Sequence, residues 1–255
     1  MGITNPYYRI VRPKAFIPDY IGDSRYALDQ AQLSRAYKNI ENELKNIFNY
    51  IEPDEANKHV FSFELYSLLL RACTEVELNC KLIMEANGAT PSTMTEYKKL
   101  EKSSLLSKYK VIYRNWRMYD ENSRKIIYLD KEFYPFKNFA PSISKSPKWY
   151  VAYNEVKHNR EKELYKANLE NCMNAVAAIL VLLYSQFGAN CIDFSYNANT
   201  VIFRSIDAYD DRFTANSIFD IQPPQINDWS AEELYDFNWD DIKNDAEPFK
   251  KYRFD

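Results

Sequence analysis

The tightest constraint on this chain is a scarcity: 255 residues contain four glycines, Gly2, Gly22, Gly88 and Gly188. Glycine supplies the left-handed backbone of tight hairpin turns and the close approaches of phosphate-binding loops. A chain this poor in it is ill suited to a long series of short strands. Neither a Walker loop, a dinucleotide fingerprint nor a nucleophile elbow can be written with these positions.

The apolar pattern points to helices instead. Leu28, Ala31, Leu33, Ala36, Ile40, Leu44, Ile47 and Phe48 recur mostly at three- and four-residue steps, predicting a helix over 24–50 that Pro53 ends. Residues 59–86 read as a second helix, apolar on more than one side and therefore central in a bundle, with Asn87-Gly88 as its stop. A shorter polar helix follows from Pro91 to about 108. Residues 147–167 predict a fourth, started by Pro147, and 168–187 a fifth, capped by Asn168 and closed by Gly188. Its apolar run, 175–184, is too short to span a bilayer. Val111-Ile112-Tyr113 and residues 125–129 flank Asp120-Glu121-Asn122-Ser123, a hairpin pattern, and 192–196 with 200–204 suggest another. The expected architecture is mainly α: an antiparallel helix bundle with a β-hairpin insertion and a C-terminal β or irregular extension. Its parts are an irregular N-terminal arm over 1–23, the bundle over 24–188 with the insertion around 109–148, and an acidic, aromatic-rich extension over 189–255.

Residues 1–20 hold three prolines and no apolar leader, and Cys73, Cys80, Cys172 and Cys191 show no CxxC spacing. The expectation is a soluble, reduced, cytoplasmic protein with buried cysteines, no membrane association, and no metal or other cofactor. Net charge is −3, but it is unevenly spread. Residues 205–255 carry 13 acidic against 5 basic side chains, and residues 88–148 carry 13 basic against 6 acidic. Such asymmetry suits an anionic partner for the middle of the chain. It also fits two ordinary solvated surfaces. The aromatic content of the last thirty residues is too high for plain disorder, so the tail is expected to lie on the body or to dock on another chain.

Only two histidines are present, and His158 lies in Tyr153-Asn154-Glu155-Val156-Lys157-His158-Asn159-Arg160. On a continuous helix over 147–167, Trp149, Ala152, Tyr153, Val156, Leu164 and Ala167 share the core arc. Asn154, Lys157, His158 and Glu161 form a polar stripe. Arg160 falls within the apolar arc, where a guanidinium must either snorkel or meet a buried carboxylate. The plainer reading of the stripe is an i,i+4 Lys157–Glu161 pair beside a helix histidine that Asn154 hydrogen-bonds.

The same segment, followed directly by an Ala- and Leu-rich helix, resembles the HEPN superfamily. Asn154 and His158 match the Asn and His of that family's motif, and Tyr153 stands where the family usually has Arg. The resemblance implies a HEPN-like helical bundle that forms a homodimer and cuts RNA without a metal, in a bacterial toxin–antitoxin or phage-defence setting. It implies that two copies of His158 meet between protomers, as base or acid. Lys157 and Arg160 would then stabilise charge, and Asn154 would orient the imidazole. Lys98, Lys99, Lys110, Arg114, Trp116 and Arg117 are candidate RNA-binding residues, by charge and stacking. The plainer reading of them is a hairpin with exposed lysines and core aromatics. Nothing in the chain points to DNA. The competing expectation is a non-catalytic HEPN-like module whose acidic tail docks on a protein partner or on its own basic surface.

Overall fold

A computed structural model describes residues 2–13, 18–191, 213–214 and 217–254. Along the chain it holds helices α1 (Pro18–Ile21), α2 (Gln30–Ile47), α3 (Phe63–Ala86), α4 (Met94–Tyr97) and α5 (Leu100–Ser104). Strands β1 (Lys110–Asp120) and β2 (Lys125–Phe133) follow, then α6 (Lys148–His158), α7 (Arg160–Glu163) and α8 (Leu169–Phe187). Strands β3 (Phe213–Thr214) and β4 (Phe219–Gln222) and helix α9 (Trp239–Ile242) complete it. The fold is mainly α.

Local chemistry sets the helix ends. Ser62 accepts a hydrogen bond from the Leu65 amide at 3.1 Å to start α3, and Asn168 accepts one from Asn171 at 3.1 Å to start α8. Gly88 and Gly188 take positive φ, 86° and 58°, just beyond α3 and α8. Leu105, at φ 47°, ends α5, so the helix expected from residue 91 to 108 is instead two short ones.

The four long helices form the core. Helix α8 packs on α2, α3 and α6, and its residues 175–183 are fully buried. By length and composition α8 could cross a membrane, yet most of it is covered by the other helices. Cross-helix bonds fix the directions. Cys172 Sγ donates to the Leu65 carbonyl at 3.1 Å, and Gln186 Nε2 to Asn79 Oδ1 at 2.9 Å, so α3 and α8 run parallel. Helix α6 opposes them, with Tyr150 beside Glu77 and Arg160 beside Phe63. So does α2, whose early Ser34 bonds the Cys191 carbonyl beyond the end of α8. Successive long helices therefore alternate in direction. The cysteines are all buried and free.

The hairpin expected after residue 109 is present, with Asp120 opposite Lys125. It is part of something larger. Strand β1 also pairs with β4, and the sheet order is β2-β1-β4-β3. Val111 sits between Phe133 and Ile221. The acidic C-terminal part thus contributes to the sheet itself, a long-range pairing that no local pattern announces. The hairpin expected over 192–204 lies outside the described residues.

The two termini interleave. Ile3 and Leu234 bond through their backbones at 2.8 Å, and Lys250 N–H donates to the Pro6 carbonyl at 2.9 Å. Tyr235 is fully buried and donates to the Ile10 carbonyl at 2.7 Å. Arg12, 2% exposed, lies 4.9 Å from the Trp229 ring centre and 5.5 Å from those of Tyr7 and Tyr252. It also donates to the carbonyls of Ser103 and Glu233. The aromatics of the tail are folded onto the body.

Candidate functional site

The polar stripe sits at the C-terminal end of α6. Trp149, Tyr153 and Val156 turn into the core, which sends Asn154, Lys157 and His158 to the opposite side. Lys157 and His158 are exposed and Asn154 is half-buried. The helix does not continue to residue 167 as the pattern predicts. It breaks at Asn159, with φ −143° and ψ 55°, and α7 and a 3-10 turn replace the last two turns. Asn159 N–H still donates to Glu155, and its carbonyl accepts from Lys162 and Glu163, so one residue closes α6 and opens α7.

The break moves the flanking residues off the expected arcs. Glu161 no longer follows Lys157 one helical turn later on the same helix. Arg160 is exposed rather than within the apolar arc, and its guanidinium lies 5.7 Å from the Phe63 ring centre and 5.8 Å from that of Tyr66. It meets π faces, not a buried carboxylate. Lys157 donates to the Tyr153 hydroxyl at 3.1 Å, and this bond raises its pKa above the ordinary lysine value. Tyr153 itself is 2% exposed.

One residue of the site has no signal in the sequence. Glu77 of α3 accepts a hydrogen bond from the Tyr150 hydroxyl at 2.7 Å. Burial, and then this bond, push the Tyr150 phenol well up, while Asn154 opposes the shift. Asn154, half-buried, thus lies beside the Tyr150 hydroxyl one helical turn away on α6.

The candidate RNA-binding residues are not gathered with this site. Lys98 donates to the carbonyls of Ile143, Ser144 and Lys145, at 3.3, 3.0 and 2.9 Å, and partial burial lowers its pKa. Lys99 holds the Phe254 carbonyl at 3.1 Å, near the end of the tail. Lys110 pairs with Glu132 at 2.8 Å. Arg114 pairs with the buried Asp220 of β4, and Arg117 with the buried Asp54. Trp116 is 2% exposed and its indole N–H donates to Glu55 at 3.1 Å. Each has an intramolecular partner in this structure.

By contrast, neither Lys157 nor Arg160 has a carboxylate within ion-pair distance among the described residues, whereas Glu155 and Glu163 are both taken by Lys166. Among the described residues no three His, Cys, Asp or Glu side chains gather as metal ligands. The corner therefore offers an exposed imidazole, two cations without ion-pair partners and a row of aromatic rings. That set suits an anion carried on an aromatic-tolerant partner. Comparison of the chain with family models, curated proteins and solved structures gives no match.

Proposed function

We propose that this is a cytoplasmic, HEPN-like, RNA-directed protein that acts as a homodimer and cleaves RNA without a metal, in a defence or toxin role. The observation that carries the reading is the joint exposure of Lys157, His158 and Arg160 at one end of α6. Cleavage of this kind moves a proton from a ribose 2′-hydroxyl to a base as that oxygen attacks the adjacent phosphorus. The 5′-oxygen leaves with a proton from an acid, and a 2′,3′-cyclic phosphate remains. His158 of one chain serves one role. Two protomers related by a two-fold axis supply both. Lys157 and Arg160 neutralise the charge that builds on the phosphorane, and Asn154, one turn before His158, orients the imidazole.

A second reading is a non-catalytic interaction module. Its support is Tyr153, a buried phenol at the position where the family has a guanidinium, together with a tail whose Asp220 and Phe254 carbonyl engage Arg114 and Lys99 of the basic stretch.

Incubation of the protein with a labelled single-stranded RNA in EDTA separates the two. Cyclic-phosphate ends produced by the wild type and lost by about 10²-fold or more in His158→Ala support cleavage. Binding to RNA or protein without cleavage by either form supports the module.

A further inference from the structure

The start of α3 and the turn after α6 carry three exposed aromatic rings. Phe63 is 61% exposed, Tyr165 52% and Phe61 48%. Phe63 and Tyr66 meet edge to face at 6.5 Å, and Arg160 lies over both. Phe61 is fixed by a backbone bridge to Asn168, and Leu169 N–H donates to the Val60 carbonyl at 3.0 Å. The rings therefore project from anchored backbone at the start of α3, one short loop from the start of α8. With Glu155 and Glu163 taken by Lys166, the exposed charges along these segments are the cations Lys157, Arg160 and Lys162 and the carboxylates Glu64 and Glu161, a small positive excess.

We propose that Phe61, Phe63 and Tyr66, with Arg160, form a shelf for the unpaired bases of single-stranded RNA whose backbone phosphate lies at Lys157 and His158. This rests on the RNA-directed reading and adds where the bases go and which form of RNA is taken. Aromatic side chains stack on any base whose π face is free, and a paired duplex offers such a face only at its ends. A guanidinium resting on a ring can slide onto a base or a phosphate without losing its charge partner, since it has no carboxylate to leave. An apolar protein surface laid on the shelf would cover the rings but leave Lys157 and Arg160 without counter-charge. A phosphodiester strand satisfies both.

The test uses the full chain and a fluorescent 2′-O-methyl oligouridine of about ten nucleotides, which resists cleavage and spans a single-strand site of ordinary size. The double variant Phe61→Leu/Phe63→Leu keeps apolar bulk and removes the π faces. It is expected to bind about tenfold more weakly or worse, with an unchanged melting temperature and an unchanged mass by light scattering. Arg160→Gln is expected to weaken binding as well, and a duplex of the same length to bind the wild type less well than the single strand. Wild-type affinity in the double variant overturns the shelf alone. A dimer that falls to monomer in that variant assigns the rings to self-association and also overturns it. Absence of binding by the wild type removes the shelf and the RNA-directed reading together.

Discussion

Lys157 Nζ donates to the hydroxyl of Tyr153 at 3.1 Å, while the same ammonium lies 5.0 Å from the centre of that ring. One helical turn thus links a buried phenol to an exposed cation beside His158. Tyr153 thus tethers a neighbouring charge.

Tyr153→Phe removes the hydroxyl and keeps the ring. Lys157 is raised by that hydrogen bond, so its pKa is expected to fall toward the ordinary lysine value in the variant. The sign follows from the direction. A lysine raised in the folded state stabilises below its unfolded pKa, about 10.4, and loses that contribution as pH rises through the folded value. The stability gap between wild type and variant is small, because the ammonium is exposed, and it closes above about pH 10.5. An NMR titration of the lysine side chains checks the shift, and an unmoved Lys157 contradicts the account.

Glu55 ties the loop before α3 to the sheet. Burial favours its neutral form, but hydrogen bonds from Lys58, Lys131 and Trp116 outweigh this and bring the carboxyl down to about 2. A depressed carboxylate stabilises above its unfolded pKa and loses that contribution as pH falls through the folded one. Denaturant melts of wild type and Glu55→Gln should therefore differ most above about pH 4.5 and converge toward pH 2. A constant difference across that range contradicts the assignment.

Arg12 is the clasp between the two termini. Arg12→Met leaves the Ser103 and Glu233 carbonyls without this donor and removes the cation from between the Tyr7, Trp229 and Tyr252 rings, at a cost of about 2–3 kcal/mol. Arg12→Lys recovers little, because an ammonium cannot reproduce the flat, two-donor contact. Thermal melts with limited proteolysis of the tail measure both, and a lysine variant as stable as wild type refutes the clasp.

Arg114 covers the carboxylate of Asp220, whose side chain is 3% exposed. Arg114→Met is expected to cost about 1–3 kcal/mol by leaving that charge without its guanidinium. Adding Asp220→Asn should recover part of the loss, which a double-mutant cycle reads directly.

The long helices were legible because each carries its own apolar period, and α8 also carries its cap, Asn168, beside it; the Ser62 cap of α3 lies three residues inside the start expected for that helix. The break at Asn159 was not. No proline or glycine marks it, and the apolar positions Leu164 and Ala167 continue the helical spacing across it. The hairpin was legible from its alternation, whereas the pairing of Val111 with Ile221 joins segments more than a hundred residues apart. At the candidate site, the exposure of Lys157 and His158 follows from the core face of α6. The contributions of Glu77, Phe63 and Tyr66 come from another helix, and only packing brings them near. The basic stretch misleads for a related reason. Its cations look free in sequence, and their partners, Asp54, Asp220 and several carbonyls, are remote along the chain.

Ultraviolet cross-linking of a single-stranded RNA to the wild-type protein, read by mass spectrometry, tests the central assignment most directly. The account predicts adducts on Phe63, Tyr66 and neighbouring residues of the α6–α7 turn. Adducts confined to the β1–β2 hairpin, or none at all, would contradict it.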